Sequence, residues 1–389
     1  MGLENEFNWV ETKTGFYTDG KLVSMSNSLE FLKFPPLDLI SKFRLGATIF
    51  YASRVKDWKA LEKISVEDWL TKLSGKRTFE KMWKPLLKAK LGEAYKETSA
   101  AFIWATIQRM YAARNSGLKR EMFGYVRGGY ATVLKRFTEV LREKGVEIRL
   151  NSRIEKIEKS DDKITISAAG NTEKYKAQIQ FEDEEFSDVS VRSASGAVEF
   201  PEFDTVILTC PANVAAKIVP QLLADEKRKL TAVKYQGIVC ASVLMKNSLS
   251  PYYVTNITDE TPFTGIIEMT ALVEKSEFGG NALVYLPKYV APDDELFEKS
   301  DMEIEEIFLG KLEEMYPHFK QADVEAFRIS RVRQVFPIPT LNYSSNLPSV
   351  KTSIDGVYII NSAQITNGTL NVNETIQLAE RFFEENLTT

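Results

Sequence analysis

The sequence predicts a mixed α/β chain with room for two domains, and three observations predict it. With 389 residues and 44% hydrophobic content, the chain can bury a sizeable core. Residues 355–386 change period once, from a short β-branched run to a helical stripe. The second half carries apolar runs separated by Pro, Gly and Asp, whereas the first half carries amphipathic helical patterns.

Composition excludes several function classes. The formal net charge is −4, from 50 basic and 54 acidic residues, and no aromatic-basic patch of a nucleic-acid binder is present. The two cysteines, Cys210 and Cys240, do not form a C-x-x-C and read as buried thiols of a reducing compartment. The single histidine, His318, follows a helical pattern and reads as a surface residue, so a His-cluster metal site is not expected. Residues 1–7 carry no secretory signal, and no run of 18 or more apolar residues predicts a membrane-spanning helix. Asn256-Ile257-Thr258 is then no more than a sequence coincidence. A cytoplasmic location is the expectation.

In chain order, Gly15 to Val23 reads as a hairpin around Asp19-Gly20. Residues 27–39 give a short helix and loop, and residues 39–53 a longer helix. Ser65 is an N-cap with Asp68 three residues on. Residues 79–92, with Trp83 and Pro85, read as a kinked core helix. In the helix 98–114, Phe102, Ile103, Ile107 and Met110 form the apolar face and Trp104 lies off it. Gly128-Gly129 lets backbone approach something closely, or turns the chain before a helix at 132–144. Residues 145–157 read as a strand pair, residues 163–200 as a long β-meander with no functional account, and residues 203–211 as a buried strand ending at small residues and Pro211. Strands are expected at 235–245, 263–269, 282–289 and 327–336, and an acidic amphipathic helix at 301–316.

The C-terminal segment closes the pattern. Residues 357–360 form a buried strand after Gly356. Val372, Ile376, Ala379 and Phe383 make one helical stripe, capped by Asn371 with Glu374 at the capping-box position. A strand feeding a helix through a polar loop aims backbone N–H groups and a positive dipole end into a crevice, or simply closes a domain.

Several of these stretches resemble one family. Gly356 to Ile365, then Gly368 to Ile376, is similar to the closing segment of the FAD-dependent flavin amine oxidase, protoporphyrinogen oxidase and phytoene desaturase superfamily. The helical region with Trp83 and Pro85-Leu86-Leu87, the Gly128-Gly129 pair and the Asp204-x-Val206-Ile207-x-x-x-Pro211 strand extend the likeness through nearly the whole chain. The resemblance implies an incomplete FAD/NAD(P)-binding Rossmann-like domain plus a substrate domain with a mixed β-sheet and helices. It divides the chain into 1–119 (substrate domain, first part), 120–225 (FAD-binding domain, middle part), 226–344 (substrate domain, second part) and 345–389 (FAD-binding domain, C-terminal strand and helix).

By the same resemblance FAD is the cofactor. Gly128, Gly129, Ile154, Thr209, Pro211, Asn361, Gly368, Thr369, Asn371 and Asn373 are its expected contacts, with the helix at Asn371 stabilising the anionic reduced ring. Cys210 lies near the cofactor or serves packing. Glu268, Tyr285, Phe336 and Tyr343 are expected at the substrate pocket, Glu268 facing either the cavity or solvent. No catalytic side chain and no metal ligand is assigned.

One family feature is missing. No two glycines are separated by a single residue, so the sequence holds no G-x-G-x-x-G turn for the pyrophosphate. A truncation, a split gene or a misassigned start would each produce this. A partner or an upstream segment is then expected to supply the phosphate-binding unit. The expected function is two-electron oxidation of an apolar or amine-bearing small molecule. A flavin-using isomerase resembling UDP-galactopyranose mutase, with Arg331 and Arg333 on the diphosphate, and a non-catalytic, partner-dependent subunit are the alternatives. No nucleic-acid partner is expected, and peripheral membrane contact is left open.

Overall fold

The computed structural model describes residues 1–26, 28–115, 122–169, 198–367 and 370–387. Its strands are β1 (Phe7–Glu11), β2 (Thr14–Thr18), β3 (Lys21–Ser24), β4 (Met122–Val126), β5 (Arg153–Ser160), β6 (Lys163–Ala169), β7 (Val198–Glu199), β8 (Val206–Leu208), β9 (Tyr235–Met245), β10 (Val254–Ile257), β11 (Gly265–Glu268), β12 (Ala282–Val290), β13 (Val324–Pro337) and β14 (Val357–Ile359). Its helices are α1 (Ser28–Lys33), α2 (Leu39–Arg54), α3 (Trp58–Leu61), α4 (Val66–Ser74), α5 (Lys76–Thr78), α6 (Lys84–Leu91), α7 (Ala100–Asn115), α8 (Gly129–Glu143), α9 (Ala212–Ile218), α10 (Ala224–Ala232), α11 (Asp301–Met315), α12 (Tyr343–Asn346) and α13 (Val372–Asn386). The chain folds as two compact units, Met1–Arg136 with Lys234–Asn346 and Ile365–Thr389, and Phe137–Val233 with Leu347–Gln364. The unit boundaries lie after residues 136, 233, 346 and 364, beside the expected domain boundaries at 119, 225 and 344.

The first unit is built on a seven-stranded mixed sheet of order β13-β9-β12-β11-β10-β2-β3, with β10 and β2 parallel and the other neighbours antiparallel. Strand alternation gives the sheet two unlike faces. Val239, Ala241 and Val243 of β9, Val284 and Leu286 of β12 and Ile266 of β11 are buried in one core with Ile304, Phe308 and Leu312 of α11. The residues between them, Ile238, Cys240, Ser242, Tyr285 and Ile267, are only half-buried and form the open face. The β2–β3 hairpin turns at Asp19 and Gly20, both with positive φ, and their amides donate to the Asp259 carboxylate at 2.9 and 2.8 Å. β1 and β4, which the sequence pattern missed, pair with each other.

A second core in this unit gathers the helical half: Leu45, Trp69, Leu70, Phe79, Trp83, Leu87, Ile103, Trp104 and Ile107 among others. The kink before Pro85 is a π-turn over Phe79–Trp83, where the Lys84 amide reaches back to the Phe79 carbonyl. Proline lacks a donor and clashes with the carbonyl four residues back, and a widened turn relieves both. The reading of α7 needs correction. Trp104 is buried and its Nε1 donates to the Val55 carbonyl, whereas Met110 is half exposed.

In the second unit β8 and β14 pair in parallel, with Val357 beside Val206 and Ile359 beside Leu208. Gly356 enters this pair with φ +81°, and a Cβ there would lie 2.5 Å from the Asp204 carbonyl oxygen. Only glycine fits both conditions. A separate sheet, β5-β6-β7, adjoins through the Ile164–Phe203 bridge, so the nucleotide-type segments do not share one continuous sheet. Ile157, Ile164, Val206, Leu208, Ala215, Val219, Val357 and Ile359 form the core. The strand expected at 146–150 does not form, and Leu150 there is 74% exposed. Most of the expected meander at 163–200 lies outside the described residues.

Candidate functional site

In the second unit the site candidates collect at the carboxyl ends of the two parallel strands, the place where α/β sheets present ligands to loops. Thr209, Cys210 and Pro211 follow β8, and Ile360 and Asn361 follow β14. Asn361 ties the two ends together. Its Nδ2 donates to the Cys210 carbonyl at 2.9 Å, its Oδ1 accepts from the Ala363 amide at 2.9 Å, and its own amide donates to Gln364 Oε1 at 2.8 Å. Asn361 is thus a loop brace. Thr209 is exposed beside it, and Pro211 opens α9. The Asn213 Oδ1 in the first turn of α9 is buried and has no hydrogen-bond partner among the described residues. Burial pushes the Cys210 thiol up, so it stays protonated at neutral pH. Ile154 sits half-buried on β5, against the core of this unit.

In the first unit the Gly128-Gly129 pair makes a left-handed turn, with φ +74° and +67°, into α8. A Cβ on Gly128 would lie 2.6 Å from Thr132 Oγ1, whose hydroxyl donates to the Arg127 carbonyl. The Gly128 amide donates to Glu277 Oε2 at 2.9 Å, and Arg127 lies 3.5 Å from the other oxygen. Glu277 had no sequence signal, since it is 149 residues away from Gly128. Near this turn stands an aromatic group. Phe123 and Tyr253 have ring centroids 5.2 Å apart, and Tyr130 and Tyr285 both lie close enough to the Tyr253 phenol to help raise it. Burial raises both the Tyr253 and Tyr285 phenols, and it pushes Cys240, on the same open face, up to about 11. The wall is therefore aromatic, and its phenols and thiol are uncharged at neutral pH. It can enclose an apolar molecule or hold a cation over a ring face.

The other expected pocket residues lie elsewhere. Glu268 faces neither cavity nor solvent. It is 1% exposed on the closed side of the sheet, where its carboxylate accepts from the Leu249 amide at 3.0 Å and the Thr270 hydroxyl at 2.7 Å. Because side chains alternate along β11, Glu268 and the open face are on opposite sides. Phe336 is buried in the helical core, edge-on to Tyr289 at 5.9 Å with Lys90 Nζ over its ring. Tyr343 is 4% exposed, beside Tyr235 and Glu62, with no hydrogen-bond partner for its hydroxyl among the described residues. Of the four, Tyr285 alone lies on the open face.

Asn371 caps α13, accepting the Glu374 amide at 3.0 Å, and Asn373 is exposed in the first turn. Gly368 and Thr369 lie outside the described residues. The stripe of α13 is reversed from expectation: Val372, Ile376 and Phe383 are 53–55% exposed and Phe382 is the buried residue. On α8 likewise, Tyr130, Leu134 and Phe137 are exposed and no residue is buried.

The sequence matches the family of flavin-containing amine oxidoreductases over residues 4–369. The chain belongs to that family. Solved structures with the same fold include a protein from Exiguobacterium sp. 255-15 assigned as a protoporphyrinogen oxidase, at TM-score 0.66 and 16% identity, covering 99% of this chain and 82% of that one. An oxidoreductase from Methanosarcina mazei aligns at TM-score 0.67 and 15% identity, covering 97% and 82%. A putrescine oxidase variant aligns at 0.65 and 14%, covering 98% and 83%. Reduced UDP-galactopyranose mutase follows at 0.63 and 10%, covering 98% and 80%. No curated protein matches the chain by sequence. As a flavin-containing amine oxidoreductase the protein is an FAD-dependent oxidoreductase. For FAD the described residues offer strand-end loops and an orphaned acceptor at Asn213, without a G-x-G turn for the pyrophosphate. Among the described residues no group of three metal-ligating side chains occurs, and no helix is long and apolar enough to cross a membrane.

Proposed function

We propose that this protein takes two electrons from an apolar or amine-bearing small molecule. The observation that carries the reading is the group of half-buried aromatics Tyr253, Tyr285 and Phe123, in a chain of a flavin-containing family. FAD, when bound, supplies the hydride acceptor. The chain's own part is enclosure and orientation. Thr209, Pro211 and Asn361 are assigned to the cofactor at the strand ends, with Ile154 on the adenine side and Gly128, Gly129, Gly368, Thr369, Asn371 and Asn373 as further contacts. Tyr285 is assigned to the substrate, and its protonated phenol donates a hydrogen bond without contributing charge. A histidine base plays no part in this reading, and the single histidine, His318, is exposed beside Tyr316 just after α11.

The isomerase reading loses its anion site. Arg331 is held by the Asp301 carboxylate and the Lys299 carbonyl, and Arg333 by the Glu298 carboxylate and the Pro292 carbonyl, with its guanidinium over Phe297. Both guanidiniums are engaged at the start of α11 and are not free to grip a diphosphate.

The phosphate-holding unit is assigned to a segment outside these 389 residues, upstream or from a partner, seated on the uncovered apolar stripes of α8 and α13. Each charge-assisted hydrogen bond to the pyrophosphate contributes roughly 1.5–3 kcal/mol. Lacking two such bonds removes roughly 3–6 kcal/mol, about two to four decades of affinity. The test is to titrate FAD into the purified 389-residue chain with and without an added βαβ unit of the family. Weak binding alone, tight binding with the unit, and anaerobic bleaching by an amine or apolar substrate are expected. A stoichiometrically yellow chain without the unit sinks the phosphate assignment. Tight flavin that turns substrate over with no net bleaching sinks the oxidation itself.

A further inference from the structure

A carboxylate from a distant part of the chain closes the Gly128-Gly129 turn. Glu277 Oε2 accepts the Gly128 amide at 2.9 Å, and Glu277 Oε1 lies 3.5 Å from Arg127 Nε, so consecutive residues of the turn engage both oxygens. The Glu277 side chain is 18% exposed and that of Arg127 is 74% exposed. The sheltered, charge-assisted bond to the amide is therefore the stronger contact, and water screens the ion pair. Helix α8 opens at this turn and carries no acidic residue in its own first turn. Glu277 supplies, from outside the helix, the negative charge that a helix N-terminus favours.

The turn depends on this contact for its place. Strand β4, which leads into it, pairs with β1 in a two-stranded ribbon and not with the seven-stranded sheet. No residue of α8 is buried. The turn meets the strands of the large sheet through the Phe123 ring on Tyr253, just ahead of β10, and through Glu277, just ahead of β12. The base under Glu277 is firm. Its amide donates to the Glu274 carbonyl at 3.1 Å, and the Gly280 amide donates to the Lys275 carbonyl at 2.9 Å. Gly279 and Gly280, with φ +63° and +88°, then turn the chain into β12. That strand is paired on both sides, by β9 and β11, and it carries Tyr285. A continuous run of hydrogen bonds thus leads from the strand of Tyr285 through Glu277 to the glycine turn.

We infer that Glu277 is a positioning residue for the flavin reaction. It fixes the Gly128-Gly129 turn relative to Tyr253 and Tyr285, and with it the spacing between the cofactor assigned to the turn and the substrate assigned to Tyr285. The inference rests on those two assignments. Glu277 touches neither reactant and acts through the turn alone. Spacing of this kind matters because a misplacement of about 1 Å at the reacting atoms costs about a hundredfold in rate.

Two measurements test it. Hydrogen exchange over residues 122–132 of the full chain reads the turn without flavin. Glu277→Ala should speed exchange of the Gly128 amide roughly tenfold or more, because a hydrogen bond to a charged group is lost. Glu277→Gln keeps an oxygen that accepts from Gly128 and should retain the protection of the parent. Anaerobic bleaching of the full chain, loaded with FAD and the βαβ unit, reads the reaction. Glu277→Ala should slow turnover roughly tenfold to a hundredfold, with KM moved less than kcat. Glu277→Gln should restore the parent rate. Arg127→Ala removes only the exposed ion pair and should stay within about twofold of the parent. Where Glu277→Ala does not fold, Glu277→Asp takes its place, since it keeps the charge but falls one methylene short of Gly128. Unchanged exchange or unchanged turnover in that variant overturns the inference. So does a Glu277→Gln variant as slow as Glu277→Ala, because the bond to the turn would then not be the means. A parent that holds flavin and is never bleached is a different failure: it removes the oxidation reading, and this inference with it, whatever the exchange rates show.

Discussion

Glu268 shows how far a single residue can be placed from a pattern. A lone carboxylate in an apolar strand is visible in the sequence, but its side depends on strand register, which only the folded sheet fixes. It ended on the closed face, where burial raises its pKa above the ordinary 4.5 despite hydrogen bonds from Thr270 and Leu249. The folded chain therefore keeps a proton that the unfolded chain releases. The contribution to stability is fully present below the unfolded value and is lost as pH rises through the higher folded value. Glu268→Gln removes that titration and preserves an acceptor. Denaturant midpoints measured at pH 5 and pH 8 should fall less steeply with pH in the variant than in the parent, and identical slopes would show that Glu268 is not the titrating group. The arginine pair teaches the same lesson. Arg331 and Arg333 do face one side of β13 as their spacing implies, but that side carries Asp301 and Glu298.

At the scale of elements the local signals were legible and the packing was not. The Asp19-Gly20 hairpin, the Ser65 and Asn371 caps, the kink at Pro85 and the strand before α9 are set by residues next to one another, and each is found. Which stripe of an amphipathic helix is covered depends on distant chain. On α13 the stripe of Val372, Ile376 and Phe383 lies outward, and on α7 the Trp104 indole, read as lying off the apolar face, is inside. Helix α13 yields a direct comparison of adjacent aromatics. Phe382→Ala should cost about 3–5 kcal/mol in urea unfolding of the 389-residue chain, as for a buried aromatic. Phe383→Ala, 55% exposed, should stay within about 0.5 kcal/mol. Similar losses for both would mean that the stripe is covered in the isolated chain. Residues 146–150 make the same point for strands, since a β-branched run without a ladder partner remains irregular.

For the whole molecule, the family and the alternation of nucleotide-type and sheet-type segments were readable because motifs along the entire chain agree. One boundary between the units, after Arg136, falls inside α8, which sequence periodicity presents as one uninterrupted helix. Of the candidate site, the strand ends at Thr209 and Asn361 were legible, being adjacent to strong strand signals. The contacts of Glu277 with Gly128 and of Phe123 with Tyr253 were not, because nothing local encodes a partner more than a hundred residues away.

The two thiols have a practical consequence at this scale. Each unit holds one cysteine, Cys210 in the stretch 137–233 and Cys240 in the stretch 234–346, and burial keeps both protonated. Alkylation proceeds through the thiolate, so a folded unit shields its sulfur twice, by burial and by protonation. The protein therefore carries two built-in clocks. In a mild denaturant series with iodoacetamide, the Cys210 and Cys240 peptides resolved by mass spectrometry should acquire label at separate rates, each reporting the opening of its own unit. Labelling of both at the rate of a free thiol in native buffer would stop the clocks before they start, and would show the sulfurs to be open to solvent.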